Sequence, residues 1–398
     1  MKHIKLLFGA IAFSLVLFSG CQKDINSTPK SSLDGSTALA KSTSKSTVEL
    51  KAKLDKLLAS MPAGNQERLK ENARHFLLKH PEYRNFVRRQ LNIIEPTACD
   101  GNTNLNKWLD NELSDWNNTV IFYAIVTGML DFPTYDALLF ENSSDNQYYG
   151  LKGEYSQRLT KTIKDLRRFW NIQSDGIVMA AMHGSMLRDR EKVIRIDKIL
   201  YNDPQEVAEF YADLILALLD YFPQYRNGDH PIFTFNAFAQ STFDFPPFGV
   251  IPDKIIMGDG IMDAYTGLGF DDVAPQAILA HEFGHHIQFQ NGLFTDEYSP
   301  EATRRTELMA DAFSAYYLSH ARGASMQWKR VKQFLEVFYN IGDCQFTNPD
   351  HHGTPTQRMA SAEWAYSVAN DAQKQGHILT SQEFAALFEA QLPILVTY

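Results

Sequence analysis

Two histidines and a glutamate have the types and the spacing needed to hold a metal ion and activate water. His281 and His285 are four residues apart within the apolar run 277–287, and a helix of about 3.6 residues per turn brings both imidazoles to one face. Glu282 is one position further on, so its carboxylate is turned toward a water at the metal instead of the metal itself. The pattern predicts a catalytic metal site with Glu282 as its base.

A third ligand is expected further along the chain. A catalytic zinc ion takes three protein ligands and leaves a fourth position open. Glu307 and Asp311 are four residues apart in a segment with helical periodicity, so they share a face. We expect Glu307 to be the ligand and Asp311 to accept a hydrogen bond from a ligating histidine, which fixes the orientation of its ring. A solvated helix face is the alternative for both, and Glu301 is a weaker candidate because it follows Pro300 in an expected loop.

The elements that must position these residues can be read from apolar periodicity. Helices are predicted in 48–94 with a break at 62–65, and over 105–130, 157–170 and 204–222. A strand or buried segment is expected at 177–186, and β structure at 232–235 and 254–257. His183, within 177–186, is expected to be a core histidine with one nitrogen hydrogen-bonded, in preference to a metal ligand. The predicted fold class is α+β, predominantly helical, with a small mixed sheet.

The N-terminus is predicted to be an export signal. Lys2 and Lys5 precede an apolar stretch, and small residues then lead into Cys21. This resembles the lipobox of bacterial lipoproteins, which implies that Cys21 is acylated; an ordinary cleaved signal is the alternative. Two acyl chains anchor a protein stably where one is marginal. Gln22 after that cysteine fits sorting to the outer membrane of a Gram-negative cell, with the body on the periplasmic face or at the cell surface.

Four parts of the chain are therefore expected. Residues 1–20 are the signal peptide, and residues 21–47, rich in Ser, Thr and Lys, are a flexible tether. Residues 48–172 form a helical N-terminal region, and residues 173–398 form the domain that carries the chemistry. Cys99 and Cys344 remain after lipidation, and in an oxidising compartment they can form a disulfide or stay as two separate thiols.

Composition excludes several classes of protein. The 398 residues are 44% hydrophobic and 12% aromatic, which excludes a disordered chain. With 47 acidic against 38 basic residues and a net charge of −9, the chain lacks the basic excess of a nucleic-acid binder. Beyond the signal, no apolar stretch reaches the roughly 20 residues that a spanning helix needs. Membrane contact is expected through the lipid anchor only.

The sequence resembles the gluzincin zinc metallopeptidases, which carry His-Glu-x-x-His on one helix and Glu-x-x-x-Asp on the next. Within that group it is similar to the bacterial neutral zinc metallopeptidases and to the prenyl-protein and heat-shock-type endopeptidases. The resemblance covers roughly residues 230–365 and includes three further segments: Asn236-Ala237-Phe238-Ala239, Lys254-Ile255-Ile256-Met257-Gly258 and His352-Gly353-Thr354-Pro355-Thr356-Gln357-Arg358. Residues 48–225 have no part in it.

The resemblance implies a zincin-like core with one zinc ion per chain, held by His281, His285 and Glu307, and a peptide or protein substrate. His352 is the first candidate for the donor that holds the oxyanion, and Arg358 is expected to orient the loop or a ligand carboxylate. The membrane members of these families have transmembrane helices that are not seen in this sequence. Their lipidated substrates therefore do not carry over.

Three functions stay open from the sequence. A lipid-anchored zinc endopeptidase is favoured, because a structural metal site does not need a base at Glu282. The alternatives are a non-catalytic zinc-containing lipoprotein that binds peptide or glycan in the same cleft, and a zinc hydrolase of a non-peptide substrate. The strand at 255–257 can either pair with an extended substrate or be a core strand. The oligomeric state stays open.

Overall fold

The described part of the chain covers residues 37–61, 103–295, 297, 299–340 and 351–397 of a computed structural model. The chain divides into two compact units, residues 1–46 and residues 47–398. The signal peptide, Cys21 and the cysteines Cys99 and Cys344 lie outside the described residues. The lipidation site and the disulfide therefore stay predictions.

Helices make up most of the described chain. They are α1 (Thr37–Ala59), α2 (Asn104–Glu112), α3 (Asn118–Val126), α4 (Phe132–Leu139), α5 (Ser156–Phe169), α6 (Arg190–Tyr201), α7 (Gln205–Tyr221), α8 (Asp259–Gly267), α9 (Ala274–Asn291), α10 (Pro300–Ser319), α11 (Trp328–Asn340), α12 (Pro355–Gln375) and α13 (Ser381–Leu395). Short 3-10 helices cover Gly184–Arg188, Pro223–Gly228 and Pro231–Thr234. No helix among the described residues has the length and apolar character needed to cross a membrane.

Two small sheets complete the fold. Strands β1 (Val178–Met182), β5 (Lys254–Gly258) and β2 (Ala237–Gln240) form a mixed sheet in the order β1-β5-β2. β1 runs parallel to β5, and β2 runs antiparallel to it. β3 (Phe243–Asp244) and β4 (Val250–Ile251) form a hairpin. The predicted class, α+β with helices predominant and a small mixed sheet, is confirmed.

The mixed sheet is buried on both faces. Met179, Ile255 and Met257 point into the core that also contains α9 and α10. The alternate residues, Met182 and Ile256 among them, pack against α4 on the opposite face. Burial on both faces explains why these strands have almost continuous apolar sequences. The sheet therefore forms a rigid support beside α9.

Residues on both sides of position 172 contribute to one core. Leu159, Leu166 and Trp170 from α5 and its end belong to the same buried cluster as Phe313 and Phe384. The division at residue 172 stays a prediction. α1 begins at Thr37, so a helix extends into the segment 21–47 that was expected to be a flexible tether.

Two expectations about local structure are wrong. Residues 232–235, expected to be β structure, fall largely in a 3-10 helix in which His230 Nδ1 accepts a hydrogen bond from the Ile232 amide at 3.2 Å. Buried apolar residues give the same sequence pattern in either conformation. Glu301, expected in a loop, lies in the first turn of α10. Ser299 caps this helix, and Pro300 occupies a position where its missing N–H is not needed.

The role of the strand at 255–257 is settled by its neighbours. β5 is the central strand, paired on both sides, so it is a core strand and has no free edge for a substrate. β2 pairs with β5 on one side only, and no strand in the described part of the chain pairs with its other side. The edge beside α9 therefore belongs to β2.

Candidate metal centre

α9 carries the His-Glu-x-x-His motif through the middle of the core. Nearly every residue from Ala274 to Gln288 is buried, so the helix is held by packing on all sides. Gly284 faces α10 closely: a Cβ at this position would lie 3.1 Å from Ala310 Cα and 3.3 Å from Phe313 Cβ. The glycine therefore permits the close approach that brings α10 beside the two histidines.

The three expected ligands meet between these helices. His281, His285 and Glu307 each offer a ligand atom, and these atoms lie within 4.8 Å of one another. Each Nε2 lies 3.4 Å from a Glu307 carboxylate oxygen. Bonds of about 2.0–2.1 Å in a tetrahedral site place neighbouring ligand atoms about 3.3 Å apart. The cluster can hold a metal ion, and the two distances between histidine and glutamate fit that geometry.

Burial sets the protonation of the motif. Burial raises the pKa of Glu282, which is 6% exposed, and Glu307 raises it further against the opposing effect of the two histidines. Burial alone would also raise the pKa of Glu307, but His285 and His281 bring it well below its usual range. Neighbouring Asp311 and Glu307 outweigh the desolvation of His281 and raise its pKa to about 10. In the metal-free state His281 is therefore protonated, and its positive charge lies between the carboxylates of Asp311 and Glu307.

Asp311 and Arg358 form a buried chain behind His281. His281 Nδ1 lies 2.9 Å from Asp311 Oδ1, and because a carboxylate only accepts, Nδ1 is the donor and Nε2 faces Glu307. Arg358 donates from Nε and Nη2 to the two oxygens of Asp311, both at 2.7 Å. Its Nη2 also lies 3.5 Å from a Glu307 carboxylate oxygen. Asp311 and Arg358 therefore fix the orientation of one histidine and reach the third ligand.

Gln288 is the hydrogen-bond partner of His285 Nδ1, as Asp311 is the partner of His281 Nδ1. The sequence analysis did not predict this role for Gln288. His285 Nδ1 lies 2.8 Å from Gln288 Oε1, and Gln288 Nε2 donates to the Thr306 carbonyl at 2.7 Å. Since the amide nitrogen is occupied by α10, its oxygen is left to accept from Nδ1. The signal was available, because Gln288 follows His285 by three residues and shares its helix face.

The remaining predicted residues lie in different settings. His352 is exposed, and its charge lowers the pKa of Glu307, so it lies within electrostatic reach of the cluster. His286 is buried and hydrogen-bonds the Lys254 carbonyl of β5 at 2.8 Å. Glu301 is exposed and is not part of the three-residue cluster. The structure thus brings together five of the predicted residues, His281, Glu282, His285, Glu307 and Asp311, with Arg358 behind them.

Comparisons with protein families, with curated proteins and with solved structures give no match to this chain.

Proposed function

We propose that the protein is a zinc-dependent endopeptidase, exported and anchored through a lipidated Cys21 to the outer membrane of a Gram-negative cell. The observation that carries the proposal is the buried cluster of two imidazole nitrogens and one carboxylate, with the Glu282 carboxylate beside it. Two nitrogens and one oxygen are a ligand set that zinc accepts in catalytic sites with an open position. A peptide or protein would be the substrate.

The residues of the chain divide the work among them. Bound zinc would lower the pKa of water and polarise the scissile carbonyl. Glu282 takes the proton from the attacking water and passes it to the leaving amine, a role for which a carboxylate of raised pKa is suited. Asp311 and Gln288 hold the two histidines in the tautomer that turns Nε2 toward the cluster. His352 is the proposed donor to the oxyanion.

The unpaired side of β2 offers a place for the substrate backbone. Its residues are half-buried and lie in the strand next to β5. An extended peptide can add to such an edge through main-chain hydrogen bonds. The expected substrate is therefore an extended segment of chain, without a requirement for a folded epitope.

Cleavage of an unbiased peptide mixture tests the proposal. The zinc-loaded wild type should cut peptides, a chelator should abolish the cuts, and Glu282→Gln should lose activity by a factor of about 100 to 10,000 while keeping its metal. Glu301→Gln is the matched control, because Glu301 is exposed and outside the cluster. Absence of cuts by folded, zinc-loaded wild type would refute the peptidase and favour a binding protein or a hydrolase of a non-peptide substrate.

A further inference from the structure

A cavity separate from the metal-binding cluster lies at the outer edge of β1. It has a volume of about 330 Å³ and shares no lining residue with the metal-binding cluster. Its walls come from α4, the 141–148 loop, the end of β1 with the 3-10 helix that follows, and α6. A cavity of this size holds a small organic molecule or one side chain of a larger one.

His183 is one of the residues that line this cavity. Its Nδ1 lies 2.7 Å from Asp259 Oδ2, and because the carboxylate accepts, Nδ1 carries the hydrogen. No described residue hydrogen-bonds its Nε2. The side chain of His183 is 19% exposed, whereas Asp259 is 3% exposed. Asp259 therefore holds the His183 ring in place from a buried position.

Backbone packing holds this pair in place. A Cβ at Gly184, directly after His183, would collide with the Gly228 carbonyl oxygen. A Cβ at Gly260, directly after Asp259, would collide with the carbonyl oxygen of Pro231. The segments that carry His183 and Asp259 are 76 residues apart in the sequence. Each of them packs closely against the backbone of residues 228–231. Such close approach fixes the backbone that carries the two side chains.

An exposed aromatic ring stacks on His183 at the cavity. The rings of Tyr148 and His183 are 4.1 Å apart and nearly parallel, at 17°. Tyr148 is 44% exposed, so a ligand can reach its ring. The loop that carries it is fastened to β1, since Ser144 Oγ accepts from the Met179 amide and Gln147 Oε1 from the Ala181 amide, both at 2.9 Å.

The charges around the cavity leave an excess of acid. The carboxylates belong to Asp136, Glu141, Asp189 and, behind His183, Asp259. The cations are Lys192, which donates to Asp136 at 2.7 Å and to Glu141 at 3.3 Å, and Arg195, which donates to Asp136 at 2.8 Å. Four carboxylates thus face two cations. The cations are already used, so an anionic ligand would meet net repulsion and a cationic one net attraction.

We propose that this cavity binds an organic cation, an ammonium or guanidinium group whose charge lies against the open face of the Tyr148 ring. Two features act together: the aromatic ring attracts the cation, and the surplus carboxylates select against anions. His183 stacks on the other face of the Tyr148 ring and so holds the ring in place. The source of the cation is a small free amine or the Lys or Arg side chain of a peptide. This inference does not rest on the proposed peptidase.

A pair of isosteric probes tests the proposal by calorimetric or NMR titration of the purified protein. Butylguanidinium is expected to bind at least tenfold more tightly than butylurea, a neutral molecule of nearly the same shape in which a carbonyl oxygen replaces one NH2 group. Acetyl-Gly-Arg-Gly-amide, compared with its citrulline counterpart, forms the peptide arm. Whichever arm binds more tightly identifies the source. Equal affinity for the charged and neutral members of both pairs would overturn the proposal.

Two variants locate the binding. Tyr148→Leu removes the aromatic face but keeps an apolar side chain at a position that is 44% exposed, and it should weaken butylguanidinium binding about tenfold. Phe122→Leu is the matched control, since Phe122 is 52% exposed and does not line the cavity; its affinity should equal that of the wild type. Asp259→Asn keeps an acceptor for His183 Nδ1 but removes the charge, and should also weaken binding. Unchanged affinity in both cavity variants would refute the assignment.

Discussion

The substitution Asp311→Asn tests most directly whether Asp311 and Arg358 support the metal centre from behind His281. The Asp311 carboxylate is fully buried and accepts from His281 Nδ1 and from two nitrogens of Arg358. An asparagine has one acceptor oxygen, and its amide hydrogens would face a donor. Hydrogen bonds to charged groups contribute about 1.5–3 kcal/mol each, and breaking one side of a buried ion pair costs about 3–5 kcal/mol.

The magnitude expected here lies at the lower end of that range. Arg358 Nη2 keeps a second carboxylate, Glu307, at 3.5 Å, so the guanidinium is not left without an anion. We expect Asp311→Asn to lower the free energy of unfolding of the metal-free protein by about 3 kcal/mol. The single oxygen of the asparagine cannot accept fully from both His281 Nδ1 and Arg358, so the substitution should also weaken zinc binding about 10- to 100-fold.

Denaturant unfolding in the presence of chelator measures the first effect, and competition with a zinc-binding dye measures the second. The double variant Asp311→Asn/Arg358→Met should lose less stability than the sum of the two single variants, because it removes both charges. Asp371→Asn is the control, since Asp371 and its partner Lys374 are 71% and 74% exposed. Full stability of Asp311→Asn, or strict additivity in the double variant, would refute the buried chain.

Three further predictions concern metal and pH. Glu307→Ala should lose zinc while Glu301→Ala keeps it, as measured by metal content after dialysis; zinc retained in Glu307→Ala would mean that the third ligand is misassigned. Because the pKa of His281 is about 10 in the metal-free protein, zinc binding at pH 8 should release about one proton from this ring; calorimetry in two buffers of different ionisation enthalpy measures it, and no release contradicts the assignment. Burial lowers the pKa of His230 to about 4 from 6.5, so its contribution to stability is complete above pH 6.5 and is lost as the pH falls toward 4, by about 3 kcal/mol in all. Urea titrations over this range should show that slope flattened in His230→Asn, and an unchanged slope would contradict it.

The sequence predicted the metal cluster because its ligands obey a local rule. Helical periodicity alone places His281 beside His285 and Glu307 beside Asp311, and only the meeting of the two helices had to come from the fold. Arg358 was singled out through a resemblance, and its bidentate contact with Asp311 depends on α12, 47 residues away. A separation of 47 residues lies beyond the repeat of any helix or strand, so local sequence pattern could not predict this contact.

Other features could not be predicted from local pattern. β2 and β5 are both short and apolar, and nothing within either segment tells which one is central. His183 was expected to be a core histidine with one nitrogen bonded; that nitrogen is bonded, to Asp259, but the ring also lines a cavity. The contact joins residues 76 positions apart and requires the parallel pairing of β1 with β5. Tertiary pairing, which short-range propensity does not encode, decided each of these cases.

The close contact at Gly284 sets the distance between α9 and α10, and this distance decides how the three ligands can meet at a metal ion. Any side chain at this position must push against the backbone of Ala310, and α10 carries Glu307 three residues earlier. A single added methyl group would therefore widen the gap that Glu307 spans to reach both imidazoles, without altering a ligand. Among natural or engineered descendants of this sequence, position 284 should tolerate less variation than many residues that lie nearer to the solvent side of the site.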